Sequence, residues 1–234
     1  MTASLRQRRR TAAIREILDT AYQQIDQHGP TGLALRSVAR TLGMTVQALY
    51  HYFPSRDELI TALIAESYHG LADAVEAALD VAPDAGLPRF VVAAEGFRTW
   101  GIENPARFQL IYGTPLLHYQ APVDGATTAG ARRLATVFVR ELFAGFTDDQ
   151  LARIDFAPLS PELLAYLGAL PPEAIGTLPP PAVALFISVW GQVHGPVALE
   201  AFGHTAFIGP FAAEIFRTSM LNLLTDIRRR IADR

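Results

Sequence analysis

Apolar side chains at Ile14, Leu18, Ala21, Tyr22 and Ile25 recur at three- and four-residue intervals. That is the spacing of a helix packed along one face, and His28-Gly29-Pro30 ends it. Leu35, Val38, Ala39 and Leu42 repeat the pattern over two turns before Gly43, which suits a left-handed helix end. Thr45 then fits a side-chain N-cap, and Val46, Leu49 and Phe53 share a face until Pro54 halts the segment. A longer helix thus precedes two short ones joined by a tight glycine turn, the helix-turn-helix arrangement. Ser55 caps a long fourth helix, with Leu59, Ile60, Leu63, Ile64, Tyr68, Leu71 and Val75 at helical spacing to about Leu79. Pro83, Gly86 and Pro88 mark its limit.

Beyond that limit the pattern predicts helices at 89–103, 105–112, 128–146, 161–169, 181–202 and 210–232, broken by Pro/Gly-rich loops at 113–126 and 170–181. The expected fold class is all-α, a three-helix head followed by a larger helical body. The expected boundaries are 1–56 for the head, 57–82 for a connecting helix and 83–234 for the body. Pro196 removes an amide from a helix interior and should bend the chain near Gln192.

Charge changes the picture more than composition does. The net formal charge is −3, yet residues 1–56 hold eight Arg against three acids and residues 57–234 hold twelve Arg against twenty. The first stretch carries +5 and the second −8, so a polyanion is attracted to one end and repelled from the rest. The sequence has no cysteine, which removes disulfides and most structural zinc sites. MTASLRQRRR leads into no apolar run, so a secretory signal is not expected and the cytoplasm is. Ala174 to Leu199 lacks charged residues, but its prolines, Gly191, Gln192, His194 and Gly195 fit a buried helix after a loop better than a membrane span. No phosphate-binding glycine loop, nucleophile elbow or acid/base pair argues for an enzyme. His118, His194, His204 and Glu200 match no metal-ligand spacing, and no cofactor is expected.

Val38-Ala39, Leu42-Gly43, Leu49-Tyr50, Tyr52-Phe53, Ser55-Arg56 and Leu59, at fixed offsets within residues 35–59, strongly resemble the DNA-binding domain of the TetR family of regulators. The resemblance implies that the third helix enters the major groove. Gln47 would read a base edge, Thr45 and Val46 a thymine methyl or the backbone, and Tyr50 and His51 phosphates. Arg36 would reach a phosphate or guanine and Arg56 a phosphate. Tyr50 is open to a mixed role, part core and part contact. The basic run Arg6, Arg8, Arg9 and Arg10 is either a solvated tail or an arm touching backbone or minor groove. Family members often place Thr or Ser where this chain has Ala34, so a phosphate contact and a cap for the second helix are expected to be missing.

Trp190-Gly191, His194-Gly195 and Glu200, with Asn104-Pro105, Phe108 and Tyr112, resemble a Trp/His/Gly-motif class of C-terminal domains in the same family. The family resemblance implies a dimerising body that often binds a small effector. Phe97, Trp100, Phe108, Ile111, Tyr112, Phe186 and Trp190, with His118, Gln192 and His194 as polar groups, either line an apolar effector pocket or form an ordinary core. Residues 182–202 and 211–231 look like the two helices that pair with a partner chain, with Gly191, Gly195, Phe211 and Ile215 at the interface. The implied activity is a repressor that binds a near-palindromic double-stranded DNA operator as a homodimer and is released by a small apolar or aromatic effector. The competing reading is a small-molecule binding or enzymatic protein that retains the head; salt-dependent DNA binding would separate the two.

Overall fold

The protein is described by a computed structural model covering residues 4–81, 86–113, 116, 119–122, 125–155, 157–171 and 176–232. Its regular elements there are all helical: α1 Leu5–His28, α2 Leu35–Thr41, α3 Val46–Tyr50, α4 Arg56–Val81, α5 Arg89–Glu103, α6 Pro105–Tyr112, α7 Ala126–Phe143, α8 Asp148–Ala152, α9 Pro161–Gly168, α10 Pro180–Ala201 and α11 Ala212–Ala232. Two compact units divide the chain, residues 1–69 with 104–130, and residues 70–103 with 131–234. The unit boundary falls inside α4 and inside α7, whereas the sequence suggests breaks after residues 56 and 82.

In the first unit, Ile17, Ala21 and Ile25 of α1, Val38 of α2, Leu49 of α3 and Leu59, Ile60 and Leu63 of α4 are all essentially inaccessible to water. Burying each of the larger of these side chains stabilises the head by about 1.5–3 kcal/mol. Tyr22 lies in the same core and donates its hydroxyl to the Leu63 carbonyl at 2.7 Å, with Ser67 Oγ at 3.2 Å. Burial pushes the Tyr22 hydroxyl up to about 12 despite the hydrogen bond to Ser67. The fold also recruits α6, well beyond the expected head: the Arg107 guanidinium lies 3.8 Å from the centroid of the Tyr22 ring, and Tyr112 meets Tyr68 edge to face at 5.8 Å. Tyr119 reaches Thr61 at 3.1 Å. A Cβ on Gly130 would stand 2.6 Å from Tyr68 Cβ, so only glycine allows α7 to start this close to α4.

The basic run is not an arm. Residues Arg6 to Arg10 form the opening turns of α1, which starts at Leu5 with Ser4 Oγ accepting from Gln7 N at 3.2 Å. Arginine is a good helix former and nothing in this run breaks the helix, so α1 simply extends toward the terminus.

The second unit packs α5 against α10 and α11, with α8 and α9 laid on α10. Phe97 is fully buried and contacts Phe138 at 6.0 Å and Trp190 at 5.3 Å, both edge to face. Bidentate Arg98–Glu200 and Arg89–Glu141 pairs stitch the helices together. Burial raises the Glu141 carboxyl, but hydrogen bonds from Arg89 and Arg140 outweigh it and leave the group below its ordinary value. Helix α8 has no counterpart among the expected helices, although Thr147 and Gln150 close a reciprocal capping box in front of it. The predicted 128–146 helix starts at Ala126 and stops at Phe143, because Gly145 takes a φ of 87°. Helix α10 continues across Pro196 to Ala201.

Candidate nucleic-acid interface

Helix α2 ends in a glycine turn: Gly43 adopts a φ of 65°, and Met44 N donates to the Ala39 carbonyl at 2.9 Å. That reversal aims the chain into α3, which Thr45 opens by accepting from Ala48 N at 3.1 Å. As expected, Ala34 offers no side-chain cap to α2. Its amide is met instead by Gln24 Oε1 at 3.5 Å.

The five residues of α3 split by face. Leu49 is 0% exposed, Phe53 just beyond the helix is 7% exposed, and Val46 packs partly on the same core. Gln47, Tyr50 and His51 project outward, and Tyr50 is 39% exposed. With its apolar edge anchored, α3 presents an amide, a phenol and an imidazole to solvent in adjacent positions. Thr45 is exposed too, and while its oxygen accepts from Ala48 N, its proton remains free to donate. Arg36 on α2 is exposed and Arg56 half-buried at the start of α4, behind a Ser55 Oγ that accepts from Glu58 N at 3.1 Å.

Arg10 is a member of this neighbourhood that sequence reasoning leaves undecided. Its Nη1 donates to the His51 carbonyl at 3.4 Å, and its guanidinium lies 5.6 Å from the Tyr52 ring centroid. The separation of 41 residues carries no local signal, so only the fold reveals the contact.

The family model described as "Bacterial regulatory proteins, tetR family" matches residues 17–63, and "Tetracyclin repressor-like, C-terminal domain" matches residues 90–223. The HTH-type transcriptional regulator Rv1816 of Mycobacterium tuberculosis is 34% identical over 195 residues, 80% of each chain. The chain belongs to the TetR family of transcriptional regulators. Mb1846 of Mycobacterium bovis is related to this regulator at the same identity and coverage. The crystal structure of the regulatory protein SCO4313 is 32% identical and superposes with a TM-score of 0.74 over 95% of this chain and 100% of its own. PfmR of Thermus thermophilus, at 19% identity and a TM-score of 0.53 over 89% of this chain and 97% of its own, shares the fold.

The aromatic residues singled out for an effector pocket of this TetR-family protein fall into two groups. Phe108, Ile111 and Tyr112 lie in the first unit, where Phe108 meets Tyr112 at 5.0 Å. Burial raises the Tyr112 hydroxyl well above its ordinary value. Phe97, Trp100, Phe186, Trp190 and His194 lie in the second. There Trp190 and His194, one helical turn apart on α10, stack at 6.3 Å, and burial lowers the His194 imidazole. His118 lies outside the described residues. A surface cavity of about 250 Å³ in the second unit is walled by Ala74, Ala78, Val92 and Trp100, with carboxylates from Glu95 and Glu103. Trp100 is the member of the expected set in its wall; Phe97 and Phe186 are buried, and Phe97 meets Trp190 edge to face. Among the described residues no three His, Asp or Glu side chains converge as a metal site.

Of the residues expected at a dimer interface, Gly191, Phe211 and Ile215 are exposed and Gly195 is half-buried. A Cβ at Gly191 or Gly195 would meet nothing within 4 Å, so the space beside both is open.

Proposed function

We propose that this TetR-family regulator is a repressor, held as a homodimer on a near-palindromic DNA operator and released by a small apolar or aromatic effector. The observation that carries the reading is α3, whose Leu49 is locked in the core while Gln47, Tyr50 and His51 stand in solvent. A side-chain amide offers the donor and acceptor needed at an adenine edge, and the phenol, imidazole, Arg36 and Arg56 supply phosphate contacts. Paired heads would set their recognition helices about 34–36 Å apart, one turn of duplex.

Dimerisation is supported by the uncharged side of α10, where Ile187, Gly191 and Leu199 are exposed, and by exposed Phe211 and Ile215 around the start of α11. In this scheme residues 1–56 read DNA, 57–82 connect, and 83–234 bind effector and partner, the last resembling the Trp/His/Gly-motif class. Packing of α6 with the head supports a role for Phe108, Ile111 and Tyr112 in release, since a guest that displaces α6 alters what α1 and α4 rest on. Such a coupling typically amounts to about 1–3 kcal/mol. The protein would work in the cytoplasm as a binding protein, without catalysis.

Selection of duplexes from random-sequence DNA, followed by sedimentation of the complex, tests the proposal. Recovery of an inverted repeat bound by an even number of protomers is expected. Failure to enrich any sequence, with binding independent of salt, would overturn it.

A further inference from the structure

The head carries a second cationic feature beside α3. The opening turns of α1 and the chain leaving α3 enclose a surface groove of about 630 Å³, lined by Leu5, Arg6, Arg9, Arg10, His51 and Tyr52. Positions 6, 9 and 10 share one face of a helix, whereas Arg8 does not line the groove. Arg10 is tied to the His51 carbonyl and covers the Tyr52 ring. Among the described residues the ion pairs of α1 are made by Arg15, to Asp19 and Glu66, and leave Arg6 and Arg9 uncommitted. No acid occurs in α1 before Glu16, so the positive end of the helix dipole adds to the arginine charge.

We propose that this groove seats a backbone phosphate of the bound duplex, gripped by Arg6 and Arg9, with Arg10 bracing α1 against the end of α3. The inference rests on the reading of α3 as the DNA-contacting helix. His51 belongs to both surfaces, so a strand that meets the outward side of α3 is delivered to the groove mouth. Guanidinium groups match phosphate oxygens with paired hydrogen bonds. A base is a poorer occupant: Arg10 lies over the half-buried Tyr52 ring, and the other groove side chains that can bind are guanidinium groups and the His51 imidazole, which suit an anion. The contact is therefore independent of sequence and appears as affinity and salt dependence.

The test is a salt titration of the full-length protein on a duplex recovered from random-sequence DNA, comparing wild type, the double variant Arg6→Ala/Arg9→Ala, and Arg8→Ala. All three arginines are exposed and alanine favours helix, so the variants are expected to fold. Loss of one phosphate contact flattens the slope of log Kobs against log salt by about 0.9 per head. Between 50 and 200 mM salt the double variant then loses roughly threefold less affinity per engaged head than wild type. Arg8→Ala should leave the slope close to wild type. An unchanged slope in the double variant overturns the proposal, and so does equal flattening by Arg8→Ala, which would mean a diffuse field with no seat. Wild-type protein that binds the duplex with a steep slope keeps the α3 reading intact whichever way the variants fall. Wild-type protein that binds no duplex sinks that reading and this one together.

Discussion

The outward sides of α3 and α10 are both bare surfaces, and their chemistries are opposite. On α3 the outward residues Gln47, Tyr50 and His51 can all hydrogen-bond, and the arginines of the same unit surround them with positive charge. On α10 the outward residues Ile187, Ser188, Gly191, Gln192, Pro196 and Leu199 carry no formal charge, and Ile187 and Leu199 are 54% and 48% exposed. Water solvates the first face well, so only a partner that replaces those hydrogen bonds and adds charge complementarity can displace it. The second face loses little by leaving water and gains from any apolar surface of matching shape. One chain thus displays two kinds of adhesive, one suited to a polyanion and one to an apolar partner surface.

The largest expected effect is on the apolar face. Ile187→Glu with Leu199→Glu should cost about 3–5 kcal/mol for each unpaired charge buried at an interface, enough to leave monomers in sedimentation equilibrium. If the mass of the variant equals that of wild type, α10 is not an interface. Next comes the support beneath α3: Leu49→Ala removes a fully buried side chain and should lower unfolding free energy in urea by about 2–5 kcal/mol. A loss below about 1 kcal/mol would mean that α3 is not anchored as described.

Alkaline pH sharpens the contrast differently, because the buried titrating phenol of Tyr22 belongs to the head core. Its pKa is about 10 when unfolded and about 12 when folded, so its stabilising effect is complete below pH 10. As pH rises from 10 through 12 the unfolded chain gives up the proton first, and about 2–3 kcal/mol is lost. Denaturant midpoints in that window should fall for wild type and less for Tyr22→Phe, the remaining fall being carried by Tyr112 and Tyr68, whose hydroxyls burial also raises. Smallest in total energy is the reading of bases: Gln47→Ala should cost about 1–3 kcal/mol at one operator position and change sequence preference there, as measured by binding to a duplex panel. Tyr50→Phe should weaken all duplexes alike. If neither variant changes binding, the outward side of α3 does not face DNA.

Much of this is legible before any fold is known, because helices are written in short-range periodicity. Leu49 and Phe53 on one side of α3, Gln47 and Tyr50 on the other, the Thr45 cap, the Gly43 turn and the vacant cap at Ala34 all depend on residues a few positions apart. What depends on distant residues stays hidden. Nothing near Arg107 announces Tyr22, 85 positions earlier, yet that contact assigns α6 to the head. Nor does the composition of residues 97–194 tell a closed aromatic cluster from a lined cavity, since both need the same side chains and differ in how helices dock. The basic run is ambiguous for a related reason: its charge and helix propensity are plain, but nothing local shows that Arg10 meets a carbonyl and a ring more than forty positions away. Local spacing therefore determined most of the helices, α8 and the opening turns of α1 excepted, and the face that α3 shows. Docking of those helices, governed by packing between remote parts of the chain, decided which residues share a unit, a groove or a core.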